Sequence, residues 1–205
     1  MNLRAAALAL IIFLLLAAPG LAVTYKSTDG TLTLNAGQID IFSDKLVATG
    51  RAHIHWVDAA NKTVLDANAE KMVVTTMPEQ VPPAAPAKGA KAPKPRTTIK
   101  SAVLTGPVKL NYVMTDANGK STITANADNA DFDGKANLAH LVGNVRIVND
   151  NPALFSAPAS MSGDKATLNL KPSGPDDFRF RVESSPGASN ITVTPKAKPE
   201  ADKNK

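Results

Sequence analysis

The chain has 205 residues, 43% of them apolar, with one Trp, two Tyr, six Phe and no Cys. Without Cys there is no disulfide scaffold, thiolate metal site or cysteine nucleophile, and the length allows one domain or two small ones rather than a large multidomain enzyme. Lys and Arg number 23 against 18 Asp and Glu, a formal charge of +5, which favours anionic partners without pointing to nucleic acid.

In chain order the first element is a leader. Arg4, an apolar run from Ala5 to Ala18, the Pro19-Gly20 break and small residues up to Ala22 follow the order of a secretory signal. Residues 1–22 read as a signal peptide cleaved after Ala22, or as an uncleaved anchor, because the 18 residues from Ala5 to Ala22 reach the short limit for crossing a bilayer. Either way the body is expected outside the cytoplasmic membrane as a soluble domain, and no Cys follows the apolar run to carry a lipid.

From Thr31 to Thr76 the runs TLTLNAGQIDIF, KLVATGRAHIHWVD and TVLDANAEKMVVTT alternate apolar with polar residues, separated by Gly, Asn and Asp. A period of two with such punctuation predicts strands and turns. Pro78 to Arg96 then holds six Pro and four basic residues, too many missing amide donors for a sheet, and is expected to be an exposed insertion. Strand rhythm resumes at Thr97, with Asn118-Gly119 suited to a two-residue hairpin turn, and continues through NLAHLVGNVRIVND, ALFSAPASMSGDKATLNL and FRFRVESS. A body over residues 23–194 would be followed by a disordered polar tail over 195–205.

A repeat underlies the body. Gly50, Gly106 and Gly143 each precede a strand with apolar alternate residues, at spacings of 56 and 37; removing the 19 residues of the Pro-rich stretch from the first leaves 37 again. Each is followed by a pair of small residues: Ala67 and Ala69, Ala125 and Ala127, Ala157 and Ala159. Repeated two-strand units whose small residues allow close approach favour a stacked all-β fold, a jelly roll or solenoid, over a generic sandwich.

Chemistry is sparse. His53 and His55 share one strand face and Asp58 follows, but an amphipathic strand explains the pair as well as a metal site does. Asp128, Asp131 and Asp133 lack the spacing of a calcium loop, and neither a nucleophile elbow nor a phosphate-binding loop is present. No catalytic residue, cofactor or metal ligand is therefore assigned, and the chain is expected not to be an enzyme. Apolar faces remain: Ile39, Ile41, Ile54, Trp56, Val108, Leu110, Tyr112, Val145 and Ile147 form core in a closed sandwich. In one that does not close they line a groove for acyl chains, with Lys45, Arg51, Lys109 and Arg146 facing anionic head groups.

The leader, the glycine-strand and Ala-x-Ala units, and the phrases LVGNVRIVND and LDANAEKMVV together resemble the OstA-like domain of the lipopolysaccharide export proteins, the LptA and LptC family, over about residues 32–170 outside the insertion. The run Gly143 to Val145 and the Ala pairs match best; the segments starting at Gly50 and Gly106 are looser. The resemblance implies an all-β, twisted, incompletely closed jelly roll without catalytic activity. Its interior would carry the acyl chains of lipopolysaccharide or a related anionic lipid from inner to outer membrane. It also implies partnership with other jelly-roll proteins of an export bridge, or with further copies head to tail, through edge strands. A cleaved leader fits the soluble bridge member, an uncleaved one the anchored LptC-like member; a structural β-repeat protein of the envelope without lipid transfer is the alternative. The Pro-rich insertion departs from the family pattern.

Overall fold

A computed structural model describes residues 22–79, 96–116, 119–172 and 177–196. They form eleven strands and no helix: β1 Val23–Lys26, β2 Leu32–Ala36, β3 Gln38–Ile41, β4 Lys45–Asp58, β5 Thr63–Glu79, β6 Arg96–Asp116, β7 Gly119–Asp133, β8 Leu138–Asp150, β9 Phe155–Asn169, β10 Phe180–Glu183 and β11 Asn190–Pro195. All pair antiparallel in one meandering sheet, in the order β1-β2-β4-β5-β6-β7-β8-β9-β10, with β3 beside β4 and β11 beside β9. The ladder does not close: among the described residues β1 and β3 at one edge never pair with β10 and β11 at the other.

The six long strands β4 to β9 are each bent near their middle, and the three repeat glycines are the cause. Gly50, Gly106 and Gly143 do not open strands; they lie inside β4, β6 and β8, at φ of 79°, 94° and 82°, a region that costs any other residue except Asn or Asp dearly. At each the ladder shifts register, between Thr49 and Ala52, Thr105 and Val108, and Val142 and Val145. These are glycine bulges, which insert a residue and sharpen strand bending. Because they recur in alternate strands at the same rung, they merge into one crease across the sheet.

The intervening strands answer with a break in alternation. In β5, β7 and β9 two successive residues face outward at the crease, Glu70-Lys71, Asp128-Asn129 and Asp164-Lys165, all exposed. The inward parity thereby changes from Ala67 and Ala69 to Met72 and Val74, and from Ala125 and Ala127 to Ala130. The crease divides the sheet into two leaves. The β2 leaf holds β1, β2, β11 and one segment of each long strand, and the β3 leaf holds β3, β10 and the other segments.

The leaves face each other over one apolar core. Next to the crease the inner residues are small in β4, where Ala48 and Ala52 are buried, and in β7, where Ala127 and Ala130 are buried, as a narrowing wedge requires. The third small pair is displaced from its expected place. Register aligns Met161 and Gly163 of β9, not Ala157 and Ala159, with Ala125 and Ala127 of β7, since Ile147 pairs Met161 and Val145 pairs Gly163, and Ala157 is exposed. Gly163 is small because β10 passes over it: a Cβ there would lie 2.7 Å from Val182 Cγ1.

Two clamps join the far ends of the leaves. Asp29, in the β1–β2 turn, accepts hydrogen bonds from Ser27 Oγ, Thr31 and the backbone N–H of Thr97 on β6, and Thr31 Oγ1 donates to the Thr97 carbonyl at 3.1 Å. Elsewhere Tyr112 Oη lies 3.5 Å from the Leu170 carbonyl and Lys171 Nζ 3.4 Å from Asn61 Oδ1, both at the weak limit of hydrogen-bond distance. Pro78 and Glu79 pair with Thr97 and Arg96, so the ladder reaches into the margins of the Pro-rich stretch; residues 80–95, the leader and residues 197–205 of the tail lie outside the described residues. Gly119, expected in the hairpin turn, instead pairs with Asp116 in the ladder, and Asn118 lies outside the described residues.

Candidate functional site

Strand alternation sorts the expected site residues onto two faces. Ile54, Val108, Leu110, Tyr112, Val145 and Ile147 point inward and are buried in the core cluster. Ile54 and Leu110 from the β2 leaf meet Met72, Val74, Ile99 and Leu104 from the β3 leaf around an interior cavity of about 30 Å³. That is the volume of one water in the liquid and far below the roughly 300–1,000 Å³ of ligand pockets. As folded, the interior is packed. Ile39 is half-buried against the core, whereas Ile41, at the end of β3, is 68% exposed.

The interior reaches solvent at one end of the roll. Trp56 and Tyr112 of the β2 leaf and Phe132 and Leu170 of the β3 leaf, with Asp58 and Lys171, surround a pocket of about 160 Å³. Tyr112, Met114 and Leu170 also line a neighbouring 20 Å³ space with Arg179 and Phe180, and Leu170 borders the interior cavity as well. Leu170, together with Phe132, thus forms the wall shared by inside and mouth. Burial pushes the Tyr112 phenol above its ordinary pKa; its hydrogen bond with Thr63 opposes this and the nearby charge of Asp58 adds to it. An amphipathic aromatic mouth with a cation at its rim suits an apolar chain bearing an anionic end.

The four expected head-group cations do not gather there. Lys109 and Arg146 project from the outer face in one transverse row with Asn126 between them, on the opposite side of the sheet from Val108, Leu110, Val145 and Ile147. Arg146 lines a broad concavity of about 480 Å³ on that outer face, with Ser160, Ser162, Asp164, Asn190 and Thr192. Arg51 is the bulge residue after Gly50, at φ 52°, and Lys45 stacks its ammonium 5.1 Å from the Phe42 ring. The cations at the mouth are Lys171 and Arg179, which sequence reading passed over because they lie beyond the repeat.

The expected neighbour of the histidines is also replaced. Asp58 caps the β4–β5 turn, accepting from the backbone N–H groups of Ala60 and Asn61 at 3.0 and 3.1 Å. The carboxylate that meets both rings is Asp66 of β5, 2.8 Å from His55 Nδ1 and 3.5 Å from His53 Nε2. His140 is half-buried and lies 3.2 Å from Thr167 Oγ1 through Nδ1. Asp128 and Asp133 serve different turns: Asp128 accepts from Asn144 Nδ2 at 2.9 Å, and Asp133 from the N–H groups of Lys135 and Ala136 at 2.8 and 3.0 Å.

Fold and interior define a class: an all-antiparallel β jelly roll, creased and incompletely closed, with an apolar inside. No family model and no curated protein matches the sequence. Among solved structures the chain is similar to LptH of Pseudomonas aeruginosa, described as the LptA-homologous periplasmic component of the conserved lipopolysaccharide transport device. The two are 10% identical, with 80% of this chain and 95% of that one covered, at a TM-score of 0.47.

Proposed function

We propose that the chain is a non-catalytic periplasmic carrier of an acylated anionic lipid of the lipopolysaccharide class, working between the inner and outer membranes. The observation that carries this is the amphipathic mouth: Trp56, Tyr112, Phe132 and Leu170 stand beside Lys171 and open toward an interior whose lining is wholly apolar side chain apart from Asp131. Acyl chains enter past Leu170 and part the leaves, exchanging one set of apolar contacts for another, so the hydrophobic cost of opening is small. Opening at this end strains the long hydrogen bonds of Tyr112 and Lys171, each contributing at most about 1 kcal/mol. Ile54 and Leu110 would then touch acyl carbons, and Lys171 and Arg179 the anionic head group in place of Lys109 and Arg146.

The leader over residues 1–22, the domain over 23–194, the insertion and the tail belong to the same proposal, with cleavage giving a bridge component and retention an anchored one. The edges at β1, β3, β10 and β11, unpaired among the described residues, offer backbone donors and acceptors to neighbouring jelly rolls or to further copies.

The single Trp of the chain is Trp56, so its emission reports on the mouth alone. Titration with purified lipopolysaccharide should shift and saturate that emission, and a photoreactive residue replacing Leu110 should give a lipid adduct. Unchanged emission together with protein adducts only would leave the structural β-repeat alternative standing and the carrier refuted.

A further inference from the structure

We infer that Asn149 and Arg179 select the linkage by which the acyl chain is attached, taking an amide-linked chain beside an anionic group in preference to an ester-linked one; this deepens the carrier reading and rests on it. Asn149 lies on the inward face of β8, between Ile123 of β7 and Ala159 of β9, in a transverse row that continues through Tyr112 and Leu65 to Trp56 at the mouth. It is the one amide in that row, and it is 3% exposed. A polar group taken out of water without a partner destabilises a fold, so an isolated one calls for a reason. Of the three buried polar residues described, Ser27 bonds to Asp29 and Thr63 to Tyr112. The Asn149 side chain bonds to no described residue.

The amide is not sealed in, because no fully buried side-chain N or O among the described residues lacks a partner. Its polar atoms therefore face the space of about 20 Å³ that Asn149 lines with Arg179, Tyr112 and Leu170, room for about one water. Two more asparagines border that space, and their carbonyls are committed. Asn151 Oδ1 accepts from the N–H of Ala153 at 3.0 Å, and Asn169 Oδ1 from the N–H of Lys171 at 3.2 Å. Asn149 Oδ1 is thus the uncommitted amide acceptor at the site. The Arg179 guanidinium, which has no ion pair or hydrogen bond with a described residue, is its cation. A chain entering past Leu170 brings the atoms that join it to its head group to this point. An amide linkage donates its N–H to Asn149 Oδ1 while the neighbouring anion pairs with Arg179. An ester offers a carbonyl but no donor, so Oδ1 is desolvated without a partner and affinity falls by about tenfold.

The test is titration calorimetry of the whole chain with N-dodecanoyltaurine and with dodecanoyl isethionate, below micelle-forming concentration. The two probes carry the same chain and the same sulfonate, and differ by an amide N–H in place of an ester oxygen. The amide should bind the parent about tenfold more tightly. Asn149→Leu should bring the two affinities together and raise the melting temperature, because an unpartnered buried amide gives way to an apolar side chain of similar volume. Arg179→Gln should weaken both probes by the same factor and leave their ratio unchanged. Equal affinities for the parent overturn the inference with no variant and no question of folding, and so does a ratio that survives Asn149→Leu. Titration of lipopolysaccharide against Trp56 emission separates the two levels. A saturating shift with no amide preference removes the linkage selection and leaves the carrier, whereas no shift and no binding of either probe removes both.

Discussion

Gly106→Ala should destabilise the fold by about 3 kcal/mol, more than the same change at Gly50 or Gly119. At φ +94° an L side chain costs about 1–2 kcal/mol, of which about 0.4–1 kcal/mol is offset by the reduced freedom of the unfolded chain. The added Cβ would also stand 2.8 Å from both Cβ and Cγ of Glu70. A Cβ is fixed to the backbone and cannot swing away, so relief requires moving β5, at about 1–3 kcal/mol. Gly50 has φ +79° but meets nothing closer than Gly37 Cα at 3.6 Å, so Gly50→Ala should cost about 1 kcal/mol. Gly119, at φ +116° with nothing within 4 Å, should behave like Gly50. At Gly143 the carboxylate of Asp128 can rotate only by releasing Asn144, and the Asp128 Cβ at 2.9 Å cannot move aside at all, so Gly143→Ala should cost about 3 kcal/mol, as at Gly106. Urea unfolding followed by Trp56 emission and far-ultraviolet circular dichroism measures the series. Glu70→Gly removes the obstructing atoms, and in that background Gly106→Ala should recover about 1–2 kcal/mol in a double-mutant cycle. Equal costs at Gly106 and Gly50, or no coupling with Glu70, would refute the alignment of bulges into a crease.

At Asp29 burial alone would raise the carboxyl pKa, but hydrogen bonds from Ser27, from the backbone of Thr97 and Thr31, and from the Thr31 hydroxyl outweigh it and hold the group at about 2, below its ordinary 3.8. A carboxyl depressed by folding contributes stability that is complete above the unfolded value and is lost as pH falls from about 4 to about 2. Asp29→Asn should therefore cost about 1 kcal/mol at pH 7, after allowance for solvent screening, and flatten the stability profile across that acid window; parallel urea midpoints for the two proteins from pH 7 to pH 2 would contradict the clamp. Leu170→Ala should cost about 2–4 kcal/mol and increase acrylamide quenching of Trp56, because Leu170, 8% exposed, forms with Phe132 the wall between mouth and cavity; unaltered quenching would place that wall elsewhere.

The all-strand class was legible because alternation is a local signal, and every expected burst between Thr31 and Leu170 falls within or beside a strand. The crease was half legible. The 37-residue spacing exposed the three glycines, but a glycine before an alternating run reads equally as a strand start or a mid-strand bulge, and only pairing on both sides separates them. A finer signal lies in the sequence: the residue after each register-matched inward pair is acidic, in Ala67-Asn68-Ala69-Glu70, Ala125-Asn126-Ala127-Asp128 and Met161-Ser162-Gly163-Asp164. Those acids are the first of the two outward residues at which each strand turns, and they align Met161 and Gly163 correctly where the Ala-x-Ala pattern misplaces the pair onto Ala157 and Ala159. The partner of His53 and His55 was not legible, since Asp66 reaches them through cross-strand register rather than nearness in sequence. Lys171 and Arg179 were missed for a related reason: the mouth joins the ends of β4 and β6, from two different repeat units, to residues beyond β9 that no unit contains.

The placement of the Pro-rich stretch follows from the same geometry. Each 37-residue unit runs up one long strand and down the next, so the connections fall only at the far ends of the leaves, away from the crease. The β5–β6 connection lies at the far end of the β3 leaf, where Pro78 pairs with Thr97 and Glu79 with Arg96. Lengthening a hairpin connection there costs only loop-closure entropy, about 0.6 kcal/mol for each doubling of length. The same 19 residues placed at the crease would separate Glu70 from Gly106 and abolish the bulge alignment. Thr97 receives two demands at this point, since its backbone also joins the Asp29 clamp. The ordered ladder must therefore continue to the insertion's margin for the leaves to be held together at that end. Shortening residues 80–95 to a tight turn should be tolerated, whereas removing the pairs at Pro78 and Glu79 with it should release the clamp and cost the further stability assigned to Asp29.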